Sequence, residues 1–177
     1  MTKFVVGTVA RIEEQKNPFF LIDIFQKIKI KKENAILFWV GDGSLCDAVQ
    51  SYAKEKGIIQ NCIFVGSRSD VNKLYSIMDV FLLPSKFEGF GLVFLEAQIS
   101  GLKCFGSDKV PKDVKVTDNM FFLELKLDTE TWAMNILAHS DYDRRDMSST
   151  VQKSEYNIGR ASDKLEQLYL TRINNHS

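Results

Sequence analysis

Short apolar, strand-like runs alternate with segments of helical period from the first residues onward, and few architectures accept such an order. Residues 3–10 are rich in β-branched and aromatic side chains and end in a charged loop. A helical stretch opens at Pro18, a favoured first helical position, with Phe19, Leu21, Ile22, Ile24, Phe25 and Ile28 as its apolar face. The run 35–40 is apolar without a break and leads through Gly41-Asp42-Gly43 into a helix over 44–56 closed by Gly57. The order repeats with strands at 62–65, 80–83 and 103–106 and helices at 70–78 and 91–100. Beyond Gly106 the pattern loosens: 120–125 is expected as a last strand, 129–138 as a helix and 155–171 as a terminal helix. Strands apolar on both faces, alternating with helices, call for an α/β fold: a parallel sheet with helices on both faces. In such sheets ligands sit beyond the carboxyl ends of the strands, where loops enter helices.

At 177 residues the chain has the length of a single domain, 1–177, and buries enough apolar surface to need no disulfide or metal. Its 23 basic and 23 acidic side chains cancel, so no long-range field collects nucleic acid, and only local patches such as the lysine-rich 27–32 stand out. Cys46, Cys62 and Cys104 lack any paired spacing, which points to reduced thiols in a cytoplasmic setting and away from structural zinc. His139 and His176 stand far from every glycine-marked loop and are expected at the surface. Nothing reads as a membrane span or a signal peptide.

Two segments can carry chemistry. The loop from Gly7 to Pro18 holds a glycine that lets backbone approach a ligand, two cations, Arg11 and Lys16, and the amino end of a helix, the parts of a diphosphate site. It lacks the glycines of a nucleotide-binding P-loop, and taken alone Arg11 and Lys16 read sooner as solvated loop charges than as ligand contacts. Gly41-Asp42-Gly43 is explained without a ligand, as a strand-to-helix turn with Asp42 or Ser44 as a cap. The second segment, 84–97, sets Glu88 and Glu96 eight residues apart around a Gly-x-Gly turn that enters a helix. Glu88 belongs to the loop, either as a dipole partner of that helix or facing a ligand. Glu96, flanked by Leu92, Val93, Phe94 and Leu95, belongs to the helix, either exposed or at the edge of buried surface where a carboxylate needs a donor.

The series formed by residues 7–17, Val40-Gly41-Asp42-Gly43, Phe64-Val65-Gly66, 79–85 and the Glu-x7-Glu segment from Glu88 to Glu96 resembles the C-terminal, donor-binding domain of glycosyltransferase family 4. These are GT-B enzymes built of two Rossmann-like domains. The stretches 66–71 and 110–114 resemble transferases of bacterial capsular or extracellular polysaccharide. The resemblance implies that Arg11 and Lys16 clamp the diphosphate of a nucleotide sugar and that Gly7 gives close backbone approach. It implies further that Glu88 is the catalytic residue at the donor sugar, that the amides of Phe90, Gly91 and Leu92 lie near sugar and phosphates, and that Glu96 accepts from the ribose hydroxyls. The base is expected beside 65–68. Lys103-Cys104 and Ser107-Asp108-Lys109 depart from the family pattern at the far wall of the sugar pocket.

By the same resemblance the enzyme retains anomeric configuration, needs no metal or other cofactor, and works on a lipid-linked or saccharide acceptor, in the cytoplasm or peripherally at the inner face of the membrane. The acceptor-binding N-terminal domain is expected to lie outside these residues, leaving the fragment inactive by itself. Two other readings stay open: a related sugar-nucleotide enzyme such as an epimerase, which would want histidines near the sugar, and a non-enzymatic doubly wound binding module.

Overall fold

The computed structural model describes residues 3–147. Six strands form one parallel sheet: β1 (Phe4–Val9), β2 (Ala35–Val40), β3 (Cys62–Phe64), β4 (Val80–Leu83), β5 (Lys103–Ser107) and β6 (Met120–Leu123). Their order across the sheet is β3-β2-β1-β4-β5-β6. All pairings are parallel; β1 lies against β2 from Phe4↔Ala35 to Val9↔Val40 and against β4 at Val6↔Val80 and Gly7↔Phe81. The chain therefore winds outward from β1 to β3, returns to β4 and winds out the other way. The loops after β1 and β4 diverge at that reversal, which opens a crevice at the carboxyl edge.

Strand alternation divides the core in two. Phe4, Val6, Leu37, Trp39, Val80 and Leu82 face one side, under α1 (Pro18–Lys31), α2 (Cys46–Glu55) and α5 (Thr129–Ala138). Phe38, Val40, Phe81 and Leu83 face the other, under α4 (Leu92–Ile99) and the segment formed by α3 (Val71–Leu74) and a 3-10 turn at Tyr75–Ile77. Helices thus cover both faces, as the apolar strands require.

Helix ends follow local chemistry. Asn17, at φ 55°, turns the chain into α1 with Pro18 in its first turn, and Lys29 and Lys31 sit at the negative end of the helix dipole. The N-cap of α4 is Gly91 at φ 84°, a conformation that would strain any residue with a Cβ.

Several boundaries differ from those expected. The segment expected as one helix over 70–78 breaks into α3 and the 3-10 turn, and the last strand stops at Leu123. Residues 142–147 return across the amino edge of the sheet, a path without periodic signal. Tyr142 Oη donates to the Asp79 carbonyl, and the Arg144 guanidinium donates to the carbonyls of Tyr75, Ser76, Met78 and Ser100. The expected helix at 155–171, and His176, lie outside the described residues. His139 is half-buried rather than at the surface, 4.5 Å from the Phe121 ring and beyond α5, so it takes no part in the site.

Candidate functional site

The crevice between the loops after β1 and β4 is a cleft of about 320 Å³. Val9, Ala10, Arg11 and Lys16 line it from the first loop, and Glu88, Phe90, Gly91, Leu92 and Val93 from the second loop and the start of α4. Arg11, Lys16, Glu88, Phe90, Gly91 and Leu92, singled out in the sequence, are therefore brought together. A wider depression of about 500 Å³, around Lys112, Lys115 and Asn119, lies on the β5–β6 connection away from the switch point.

The cleft's charges are arranged unequally. Lys16 is bound to Glu88, its Nζ donating at 2.7 Å to Oε1 and at 2.8 Å to Oε2, with side chains only 14% and 6% exposed. Ser85 Oγ donates to the same Oε1 at 2.5 Å. Arg11, by contrast, is exposed and makes no ion pair or side-chain hydrogen bond among the described residues. Opposite it, Gly91 O accepts from Phe94 N, and the amides of Gly91, Leu92 and Val93 find no acceptor among the described residues. They leave the positive end of α4 open to the cleft. The arrangement suits an anion with several oxygens.

Two residues are placed differently from expectation. Gly7 lies inside β1 and is buried; a Cβ there would stand 2.1 Å from Met78 Sδ. Its missing side chain makes room for Met78, and the loop proper starts after Val9. Glu96 does not line the cleft; it is exposed on α4, with Oε2 accepting from Tyr75 Oη at 2.8 Å. Burial, and then the neighbouring Glu96, push the Tyr75 phenol well above its ordinary range, so it stays a donor.

Gly41-Asp42-Gly43 is indeed a turn explained by packing, but neither Asp42 nor Ser44 caps α2 through its side chain. A Cβ at Gly41 would stand 2.0 Å from Ala10 O and one at Gly43 2.4 Å from Ile12 O, so both glycines serve close approach of the two loops. Ser44 binds Glu13 instead, its amide at 2.8 Å and its hydroxyl at 2.7 Å from the carboxylate. Those two bonds hold the Glu13 carboxyl below its ordinary range. Arg68, beside the expected base position, forms a two-pronged pair with Asp70 at 2.9 Å.

Sequence reasoning missed Tyr75 and Ser85. Tyr75 sits in a stretch with no motif, and Ser85 reads as a loop serine after Pro84; only the fold shows that each donates to one of the two glutamates.

Among the described residues no helix is long and apolar enough to cross a membrane, and no cluster of three His, Cys, Asp or Glu side chains could hold a metal ion. The fold is shared with solved glycosyltransferase structures. Anabaena HepE in complex with UDP and glucose superposes with a TM-score of 0.80 at 18% identity, over 95% of this chain and 48% of that one. The lipopolysaccharide outer core galactosyltransferase WaaB superposes with a TM-score of 0.79 at 21% identity, over 96% and 50%. In sequence the chain is 28% identical over 181 residues to UDP-Gal:alpha-D-GlcNAc-diphosphoundecaprenol alpha-1,3-galactosyltransferase of Escherichia coli, over 97% of this chain and 46% of the relative. It is 36% identical over 97 residues to the Vi polysaccharide biosynthesis protein VipC/TviE of Salmonella typhi, over 55% and 17%. The chain thus spans less than half the length of these curated relatives. Residues 1–133 match the family described as glycosyl transferases group 1, and the chain belongs to that family.

Proposed function

We propose that the cleft binds a nucleotide sugar and that these residues form the donor-binding half of a retaining glycosyltransferase of bacterial surface polysaccharide synthesis. The observation that carries this reading is the convergence of Arg11, Lys16, Glu88 and the open amides of α4 at the switch point of the sheet. In the transfer, the bond from the anomeric carbon to the diphosphate breaks and its electrons leave on the diphosphate oxygen, while the acceptor oxygen forms the new bond to that carbon and its proton passes to the departing diphosphate. Arg11 and a helix amino end already in place, joined by Lys16 once it has left Glu88, receive the diphosphate's charge, and we take the reaction to need no metal. The acceptor hydroxyl, saccharide or lipid-linked, is supplied from a second domain that closes the cleft. Lys16 must exchange Glu88 for phosphate, and Glu88 is thereby freed toward the sugar. Glu96 serves the ribose from outside the cleft wall, with Tyr75 fixing its carboxylate.

Calorimetric titration of the chain with UDP and with UDP-glucose, UDP-galactose and UDP-N-acetylglucosamine, with and without EDTA, tests this. Saturable binding of UDP and of at least one nucleotide sugar, unchanged by chelation, is expected. Absence of binding by all four overturns the donor-site reading, and binding that disappears with EDTA overturns its metal-free part.

A further inference from the structure

Glu88 is held from two directions. From the cleft, Lys16 Nζ reaches both of its oxygens; from below, Ser85 Oγ donates to Oε1 alone. When Lys16 turns to a diphosphate, one hold is lost, and a carboxylate with a side chain 6% exposed either follows the cation, swings toward water or stays on the partner that remains. That partner is anchored. Ser85 is fully buried just beyond β4, and its carbonyl accepts from Ser107 Oγ, itself fully buried at the end of the neighbouring β5. The Ser107 oxygen also accepts from the Lys109 amide at 3.2 Å, which ties the pair to the loop after β5. The serine under Glu88 thus rests on two strand ends rather than on a free loop, the kind of support that holds a site residue in one geometry.

We propose that Ser85 is a positioning residue for Glu88. It keeps Oε1 in place after Lys16 has moved to the diphosphate, so that Oε2 stays open to a hydroxyl of the donor sugar. This rests on the reading of the cleft as a nucleotide-sugar site. Ser85 touches no ligand; it acts through the carboxylate. The contact with Ser107 uses the Ser85 carbonyl, so Ser85→Ala removes the bond to Glu88 and leaves the strand-to-strand tie intact.

The test is titration of wild type, Ser85→Ala and Ser85→Thr with UDP and with the UDP-sugars above. Ser85→Ala is expected to keep UDP affinity within about twofold and to weaken the nucleotide sugar about tenfold, the loss of one hydrogen bond to a charged group. Ser85→Thr, which keeps the hydroxyl, is expected to restore it, and in a Glu88→Ala background, which lacks the accepting oxygen, Ser85→Ala is expected to have no further effect. A merely structural serine would move both ligands together, and that result, or no change with either ligand, or a loss that persists in the Glu88→Ala background, overturns the proposal. If Ser85→Ala does not fold, Ser85→Cys, similar in size and a weak donor, carries the same comparison. Wild type that binds neither UDP nor a UDP-sugar brings down the donor-site reading itself, whereas wild type that binds both beside an inert Ser85→Ala brings down only the role of Ser85.

Discussion

On its β2 side the loop after β1 is joined mainly by backbone, whereas on its β4 side it is joined mainly by side chains and charge. Toward β2, Ile12 N donates to Asp42 O at 2.9 Å, Leu45 N to Ile12 O at 3.1 Å, and the glycines at 41 and 43 let the two loops touch. Toward β4 the partners keep one register, Glu14 with Lys86, Gln15 with Phe87 and Lys16 with Glu88, and Lys86 N donates to Gln15 O at 2.8 Å. Backbone bonds between closely packed loops have no substitute partner, so the first wall can only hold or unfold. Ion pairs and amide side chains can trade partners with a ligand at small net cost. One wall is built to fix the loop's position and the other to release its charge.

The largest effects are expected where the first wall is broken. Gly41→Ala combines a contact 2.0 Å from Ala10 O with a backbone φ of 135°, and Gly43→Ala a contact 2.4 Å from Ile12 O. Each should cost on the order of 3 kcal/mol in urea denaturation, from overpacking against backbone that cannot move aside. A cost under about 1 kcal/mol at both positions would show that this wall yields after all.

Next comes the second wall. Lys16→Ala leaves Glu88 shielded with only Ser85 as partner and should lower stability by about 2 kcal/mol, less than for a fully enclosed pair because the cleft admits water. Adding Glu88→Gln should recover most of that stability while leaving UDP binding weak, since the lost cation is not restored. Recovery of binding together with stability would mean that Lys16 serves the fold alone and would erase the contrast between the walls.

The contrast between the walls was only partly legible in the sequence. Strand and helix order was readable because the strands are mostly apolar runs, unbroken at 35–40 and 80–83, and helices have local starts such as Pro18 or Gly91. That Arg11, Lys16 and Glu88 share a site was implied by the family resemblance, and in the structure the loops that carry them diverge at the reversal between β1 and β4 and bound one crevice. The pairing of Lys16 with Glu88 was not readable: the residues are 72 apart, and nothing local distinguishes a buried lysine from a solvated one. The packing of Gly7 against Met78 was not readable either, because a glycine that admits a ligand and one that admits a side chain look the same in sequence. The path of 142–147 depends on Arg144 finding four carbonyls from distant turns, which no periodicity reports.

The two glutamates extend the comparison to the ligand. Glu96→Ala should weaken UDP and a UDP-sugar alike, by roughly tenfold, or about 1.5 kcal/mol, because both carry ribose. Glu88→Gln should leave UDP unchanged or slightly tighter, because Lys16 no longer has to be drawn from a carboxylate, and its cost should appear only with the sugar attached. Calorimetry of both variants with both ligands decides; equal losses on UDP would remove the division of labour between loop and helix.

The smallest effect is expected from the one ionised bond on the backbone-built wall. Glu13 accepts from the Ser44 amide and hydroxyl, with Arg11 nearby, and these hold its carboxyl below the ordinary value of 4.5. A carboxyl lowered on folding contributes stability that is fully present above its unfolded value and fades as pH falls through its folded one. Ser44→Ala removes the hydroxyl and keeps the amide, so only part of the contribution goes. Wild type should therefore exceed Ser44→Ala in stability at pH 7, and the gap should narrow as pH drops below 4.5, because protonated Glu13 gains little from Ser44 in either protein. Urea denaturation of both proteins at pH 7, 4.5 and 3 measures that gap. A gap that stays constant would assign Ser44 to packing, and the first wall would then be held by backbone and glycine contacts with no help from charge.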